Sequence, residues 1–205
     1  MYDLVSGNYY YNEGTRDFNY PAYIPKKQLH YLESTGTQYI NTDIIPDFAN
    51  GDKIVIHFYG ADYTGASPCI VGTRESGILN GFYSLGYDTI LADSEGHDTI
   101  RMKLYGEEHI LSIDDSTIIL DGTSNENPRH VTCKLPVFLF ALNNYGTAAY
   151  GIYSGMKLYD WKYYHKGILV QHLIPALDQN NVPCLFDIVS NTYKYNAGTG
   201  TFNYA

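Results

Sequence analysis

The chain has 205 residues, a formal charge of −9 from 13 basic and 22 acidic side chains, and 22 tyrosines against a single tryptophan, Trp161. That balance disfavours a nucleic-acid backbone or an anionic membrane surface as partner and suits a neutral one. No apolar run approaches the roughly 18 residues of a membrane-spanning helix, so membrane insertion is not expected.

Residues 1–20, MYDLVSGNYYYNEGTRDFNY, return near the other end as 185–204, LFDIVSNTYKYNAGTGTFNY. A shift of 184 residues brings Asp3 onto Asp187, Val5-Ser6 onto Val189-Ser190, and Tyr9, Tyr11 and Asn12 onto Tyr193, Tyr195 and Asn196. It also brings Gly14-Thr15 onto Gly198-Thr199 and Phe18-Asn19-Tyr20 onto Phe202-Asn203-Tyr204. A repeat whose period is a whole domain implies tandem modules. Each copy reads as a strand (Asp187-Ile188-Val189 in the second) and a turn residue that tolerates positive φ, Gly7 or Asn191. A second strand with Tyr193 and Tyr195 on one face follows, and then a Gly-Thr-Gly break. Met1–Leu4 lacks the basic and apolar regions of a signal peptide. Because it repeats an internal motif, this leaves the location of the whole protein open.

Residues 1–27 read as the tail hairpin of a preceding repeat plus a linker through Pro21, Pro25, Lys26 and Lys27. Residues 28–205 read as one complete module. Gln28–Thr42 suggests two short strands around Ser34-Thr35-Gly36, and Pro46–Gly51 carries turn chemistry ending in Asn-Gly. Lys53–Tyr59 alternates Ile54, Ile56 and Phe58 against Lys53, Val55 and His57, the pattern of a half-buried strand. A short apolar run at Cys69-Ile70-Val71 and a strand at Gly81–Leu85 come next, then polar loops at Gly86-Tyr87-Asp88 and Asp93–Asp98. Thr99–Tyr105, Glu108–Ile113 and Thr117–Leu120 read as a meander turning at Gly106-Glu107 and Asp114-Asp115 and closing at Asp121-Gly122. Thr123–Arg129 reads as a surface loop. Leu135–Leu142, LPVFLFAL, reads as one central strand buried on both faces. Ser154–Tyr164 and Ile168–Pro175 read as a long hairpin through His165-Lys166-Gly167. No segment carries a 3.6-residue apolar stripe, so the expected fold is all-β, an antiparallel two-sheet sandwich. The cysteines, Cys69, Cys133 and Cys184, show no zinc spacing. They read as small buried thiols, with one disulfide as the alternative.

The succession LESTGTQYINT, PVFLFALN, KLYDWKYYHKGILVQHLIPALD and VPCLFDIVSNTYKYNAGTGTF resembles concanavalin A-like (laminin-G-like) lectin/glucanase modules, over residues 28–205 and most strongly over 135–203. Such modules occur in tandem in surface proteins of gut bacteria and in phage structural proteins. The resemblance implies a jelly-roll sandwich at a cell surface or on a virion. It also implies a non-catalytic role: binding of a glycan or cell-surface polysaccharide, or, alternatively, a structural role against other virion or surface-protein subunits.

Glucanases of that fold set alternate carboxylates on one strand as Glu-x-Asp-x-x-Glu, a motif this chain lacks. Glu107-Glu108 and Asp114-Asp115 are adjacent pairs that mark turns, so no catalytic residue is assigned. Related lectins bind calcium through loop Asp and Asn oxygens, for which Asp47, Asn50 and Asp52 are the candidates. The preferred reading is an ordinary hairpin loop without a cofactor. For a glycan, Asn143, Asn144 and Tyr145 follow the apolar run in a loop that joins a ring to amide groups, with Tyr83, Tyr87 and Tyr150 as further candidates. Trp161, between Tyr159 and Tyr163, is a sugar platform if it faces outward and core if inward, the latter being preferred.

Overall fold

The computed structural model describes residues 25–61, 68–75, 81–85, 89–91, 99–101, 106–115, 117–126, 134–146 and 148–205. In chain order the first strands are β1 (Lys27–Gln28), β2 (Leu32–Glu33), β3 (Ile40–Asn41), β4 (Asp52–Gly60), β5 (Cys69–Arg74), β6 (Gly81–Leu85), β7 (Thr89–Leu91) and β8 (Thr99–Arg101). There follow β9 (Glu107–Ile113), β10 (Thr117–Leu120), β11 (Thr123–Glu126), β12 (Phe138–Leu139), β13 (Leu142–Asn144) and β14 (Ala148–Tyr150). The last are β15 (Lys157–His165), β16 (Ile168–Leu177), β17 (Pro183–Asp187), β18 (Thr192–Lys194) and β19 (Asn203–Tyr204). The larger sheet runs β11-β10-β9-β4-β15-β16-β17-β18, with β1 beside β16 and β2 between β15 and β19. The smaller runs β14-β13-β5-β6-β7-β8, with β12 between β3 and β5. Among the described residues the only helical turn is a 3-10 turn at Phe48–Asn50. The described residues form an all-β, two-layer sandwich.

Alternation decides which side chains meet between the layers. In β4, Ile54, Ile56 and Phe58 are buried while Lys53, Val55, His57 and Tyr59 lie on the other face. β9 answers with Ile113 opposite Ile54 and Leu111 opposite Ile56. From the smaller sheet Ile70, Val71 and Leu139 join the same core. β15 departs from strict alternation. The register slips between Leu158 and Asp160, so Leu158 pairs with Phe58 and Trp161 with Ile56. A bulge of this kind sends two successive residues, Tyr159 and Asp160, outward and restores Trp161 and Tyr163 to the core. Trp161 is fully buried, and its indole Nε1 donates to Gln171 Oε1 at 3.0 Å, whose own amide donates to Thr42 O at 3.0 Å. The long hairpin is as expected, its turn made by Lys166 (φ 50°) and Gly167 (φ 78°).

The tail is held to the body residue by residue. Asp187 accepts from His172 N at 3.0 Å and from Ser190 Oγ at 2.6 Å. Asn191 takes the left-handed φ of 56° that the turn needs. Tyr195 Oη donates to Asp178 Oδ2 at 3.1 Å, and Asn196 Oδ1 accepts from Tyr39 N at 3.3 Å. Gly198 lies so close that a Cβ would stand 2.0 Å from Thr37 O. Phe202 enters the core 4.9 Å from Phe140, and β19 closes on β2.

Several expectations need correction. The run Leu135–Leu142 is buried for much of its length but is not one strand. It pairs antiparallel with β5 as β12, reverses at Phe140 (φ 67°), and returns parallel to β5 as β13. A continuous apolar run demands burial, and burial alone does not demand extension. β2 and β3 belong to different sheets, and so do β8 and β9, so neither expected local pairing forms. Thr123–Glu126 is a strand rather than a loop. Asp121 (φ 48°) and Gly122 (φ 81°) join it to β10 as a two-residue hairpin turn with both φ positive. Strand β17 ends at Asp187, leaving Ile188 and Val189 in the turn, and Glu107-Glu108 opens β9. Lys27, placed in the linker, already pairs with Leu177. Cys69 and Cys184 are buried, with burial first and Asp178 second pushing the Cys184 thiol up to about 12. Cys133, residues 1–24 and the Asp93–Asp98 loop lie outside the described residues.

Gly198→Ala is expected to lower stability by about 2 kcal/mol or more, because the methyl group meets backbone rather than a movable side chain. Urea unfolding of the variant against the parent chain measures it.

Candidate functional site

The outer face of the larger sheet gathers side chains that are far apart in sequence. Tyr59 lies opposite Glu108 on β9 and Lys157 on β15, and His57 lies opposite Ile110 and Asp160. The bulge adds Tyr159, whose ring stacks on His57 at 4.6 Å and 30°. Its edge meets His30 at 5.2 Å and Tyr31 at 6.1 Å. The Lys157 ammonium rests 4.6 Å from the Tyr31 centroid and 5.1 Å from that of Tyr59, a cation–π arrangement on two rings. Three tyrosines and two histidines thus form one half-exposed aromatic platform with a cation inside it and acids at its margin.

The acids are held charged. The hydroxyl of Tyr159, and after it His57 with Nε2 at 3.3 Å, bond the Glu108 carboxylate and keep it below the usual range against a smaller effect of burial. The same contact acts in reverse on Tyr159, where burial first and Glu108 second raise the phenol. At Asp160 burial pulls the pKa upward. His172 Nε2 at 2.5 Å and Lys162 Nζ at 2.9 Å together outweigh it, and the net shift is downward. Farther along the same face, a cavity of about 480 Å3 is lined by Lys53, Val55, Asp114, Asp115, Tyr164 and Gly167. Val55 and His57 are two residues apart on the same face, so the near edge of the platform lies about 7 Å along the strand from the cavity, at roughly 3.3 Å per residue.

The residues expected from sequence fall elsewhere. Asn143 is 2% exposed; its amide donates to Pro136 O at 2.8 Å and accepts from Gly146 N at 3.1 Å, so it shapes its own turn. Asn144 Oδ1 accepts from Arg74 Nε at 2.7 Å. Tyr145, 43% exposed and at φ 61°, carries Arg74 5.1 Å from its ring centroid. These three therefore form a small Tyr–Arg–Asn group at the end of β13, apart from the platform. Tyr83 and Tyr150 occupy strand positions whose side chains lie outside the described part, as does Tyr87 entirely.

The calcium candidates are turned to other work. Asp52, 2% exposed, accepts from the Tyr163 hydroxyl and from Asp47 N at 2.6 Å, and lies 2.6 Å from His165 Nδ1. Asn50 Nδ2 donates to Asp47 Oδ2 at 2.5 Å. Among the described residues no group of three or more His, Cys, Asp or Glu side chains is placed to hold a metal ion, and no helix is long and apolar enough to cross a membrane.

The platform was missed because Tyr31, His57, Glu108 and Tyr159 share no local motif; strand register alone assembles them. The odd spacing of Lys157 to His165 was its one sequence-level trace. Comparison with protein-family models, with characterised proteins and with solved structures finds no match to this chain.

Asp160 has a folded-state pKa below its unfolded value of about 3.9, so its pairing stabilises above that pH and is lost as pH falls through the folded pKa. Carboxyl NMR titration is expected to place its midpoint below the unfolded value and to show a rise in His172→Ala. An unchanged midpoint in the variant would contradict the pairing.

Proposed function

We propose that this chain is a non-catalytic, concanavalin A-like recognition module that binds a neutral polysaccharide through the outer face of its larger sheet. The observation that carries the reading is the convergence of Tyr31, Tyr59 and Tyr159 around Lys157, with Glu108 and Asp160 beside them. Aromatic faces take the apolar side of a sugar ring, while fixed charges and imidazoles bond its hydroxyls. The cavity beside Val55 gives a second foothold along the strand, of a size usual for ligand sites. The overall charge of −9 favours a partner without phosphate or carboxylate groups.

Binding fits this face better than cleavage. A general acid for glycoside hydrolysis needs a carboxyl held protonated near neutral pH, and Glu108 and Asp160 are both shifted the other way. A jelly-roll topology, and a place in a tandem-repeat surface or virion protein, are part of the same proposal. They rest on the two-layer core, on the meeting of β2 with β19, and on the repeat of residues 185–204 at 1–20. The repeat also favours a second reading, an assembly module whose contacts are with other subunits.

A glycan array probed with the chain separates these. Specific binding is expected, reduced at least about tenfold (roughly 1.4 kcal/mol) by Tyr159→Ala. Tyr159→Phe, which keeps the ring and loses the bond to Glu108, should retain most of it. Loss on Tyr145→Ala with Tyr159→Ala silent would move the site to the β13 loop. Silence across the array from a stable oligomer would favour the assembly reading.

A further inference from the structure

We propose that the groove on the module body which holds residues 185–204 is also a docking site for residues 1–20 of a second copy of this chain, so that copies link by exchange of the tail segment. The acceptor is visible because one tail already occupies it. The tail is held by an asparagine facing the Tyr39 amide, a glycine against the Thr37 carbonyl, and a phenylalanine beside Phe140. A tyrosine hydroxyl on Asp178 and an aspartate on the His172 amide complete the set. Residues 1–20 supply every one of these groups at the same spacing: Asn12, Gly14, Phe18, Tyr11 and Asp3.

The differences set the order of preference between the two segments. Gly7 replaces Asn191 at a left-handed φ of 56°, an improvement. Arg16 replaces Gly200, where φ is 71° and a Cβ would come within 2.9 Å of Gln38 Nε2, and Tyr10 replaces the lysine that pairs with Asp43. The resident tail therefore fits better, and being tethered it also enjoys a high effective concentration. Exchange is expected when the resident tail is weakened or when copies are concentrated. Exchange of matching segments between identical protomers is a low-cost route to linked copies.

The test uses the full chain carrying Phe202→Ala, titrated against a fluorescein-labelled peptide of residues 1–20 with anisotropy as the readout. Saturable binding is expected, competed by an unlabelled 185–204 peptide and weakened at least about tenfold when the labelled peptide carries Asn12→Ala or Phe18→Ala. Should Phe202→Ala fail to fold, Asn196→Ala loosens the tail without opening the core and takes its place. The proposal is overturned if the 1–20 peptide shows no saturable binding, if the 185–204 peptide binds and 1–20 does not, or if binding is indifferent to both substitutions.

Discussion

One extra residue in β15 sets both faces of the larger sheet. Without the slip between Leu158 and Asp160, strict alternation would put Tyr159, Trp161 and Tyr163 on one side and Leu158, Asp160 and Lys162 on the other. The core would then receive an aspartate and a lysine, or else lose Leu158. With the bulge, Leu158, Trp161 and Tyr163 all point inward, and Tyr159 and Asp160 stand next to each other outside. The cost of one unpaired strand position is small beside that of burying a charge, and the bulge also keeps Leu158 in the core, which neither unbulged phase does without loss. The outer platform is thus a by-product of how the core is filled.

Several buried polar groups around that core are paired with one another. Asp52 begins β4 on the inward side and is met by a phenol, an imidazole and a backbone amide. Trp161, Gln171 and Thr42 form a chain of bonds that ties the β15–β16 hairpin to the segment leading out of β3. Burial, followed by the bond to Asp52, raises the Tyr163 phenol and keeps it a donor. The tail completes the closure: Phe202 fills the core beside Phe140 while β19 covers β2, so the beginning and end of the module meet at one edge.

Much of this was legible in the sequence, for identifiable reasons. β4 announced itself because Ile54, Ile56 and Phe58 alternate with polar neighbours, and the β15–β16 turn because Lys166-Gly167 separates two long strand patterns. The tail was legible because it occurs twice. The bulge was barely legible, since no glycine marks it and only the odd spacing of Leu158, Trp161 and Tyr163 betrays it. The reversal at Phe140 was not legible, since apolar residues buried in a left-handed turn look, letter by letter, like those buried in a strand. The platform was least legible: Tyr31, His57, Glu108 and Tyr159 become neighbours only through pairing of β4 with β9 and β15 and of β15 with β2. The role of Asn143 in its own turn was not legible either, because an amide after an apolar run serves a turn as readily as a ligand.

Because Trp161 is the single tryptophan, its fluorescence reports whether β15 turns that residue into the core. A fully buried indole bonded to Gln171 should emit to the blue of free tryptophan and resist quenching by acrylamide until the chain unfolds. Emission at the free-indole position, quenched as readily in the native chain as in urea, would put Trp161 outside. Tyr159 and Asp160 would then lose their shared face, and the platform with it.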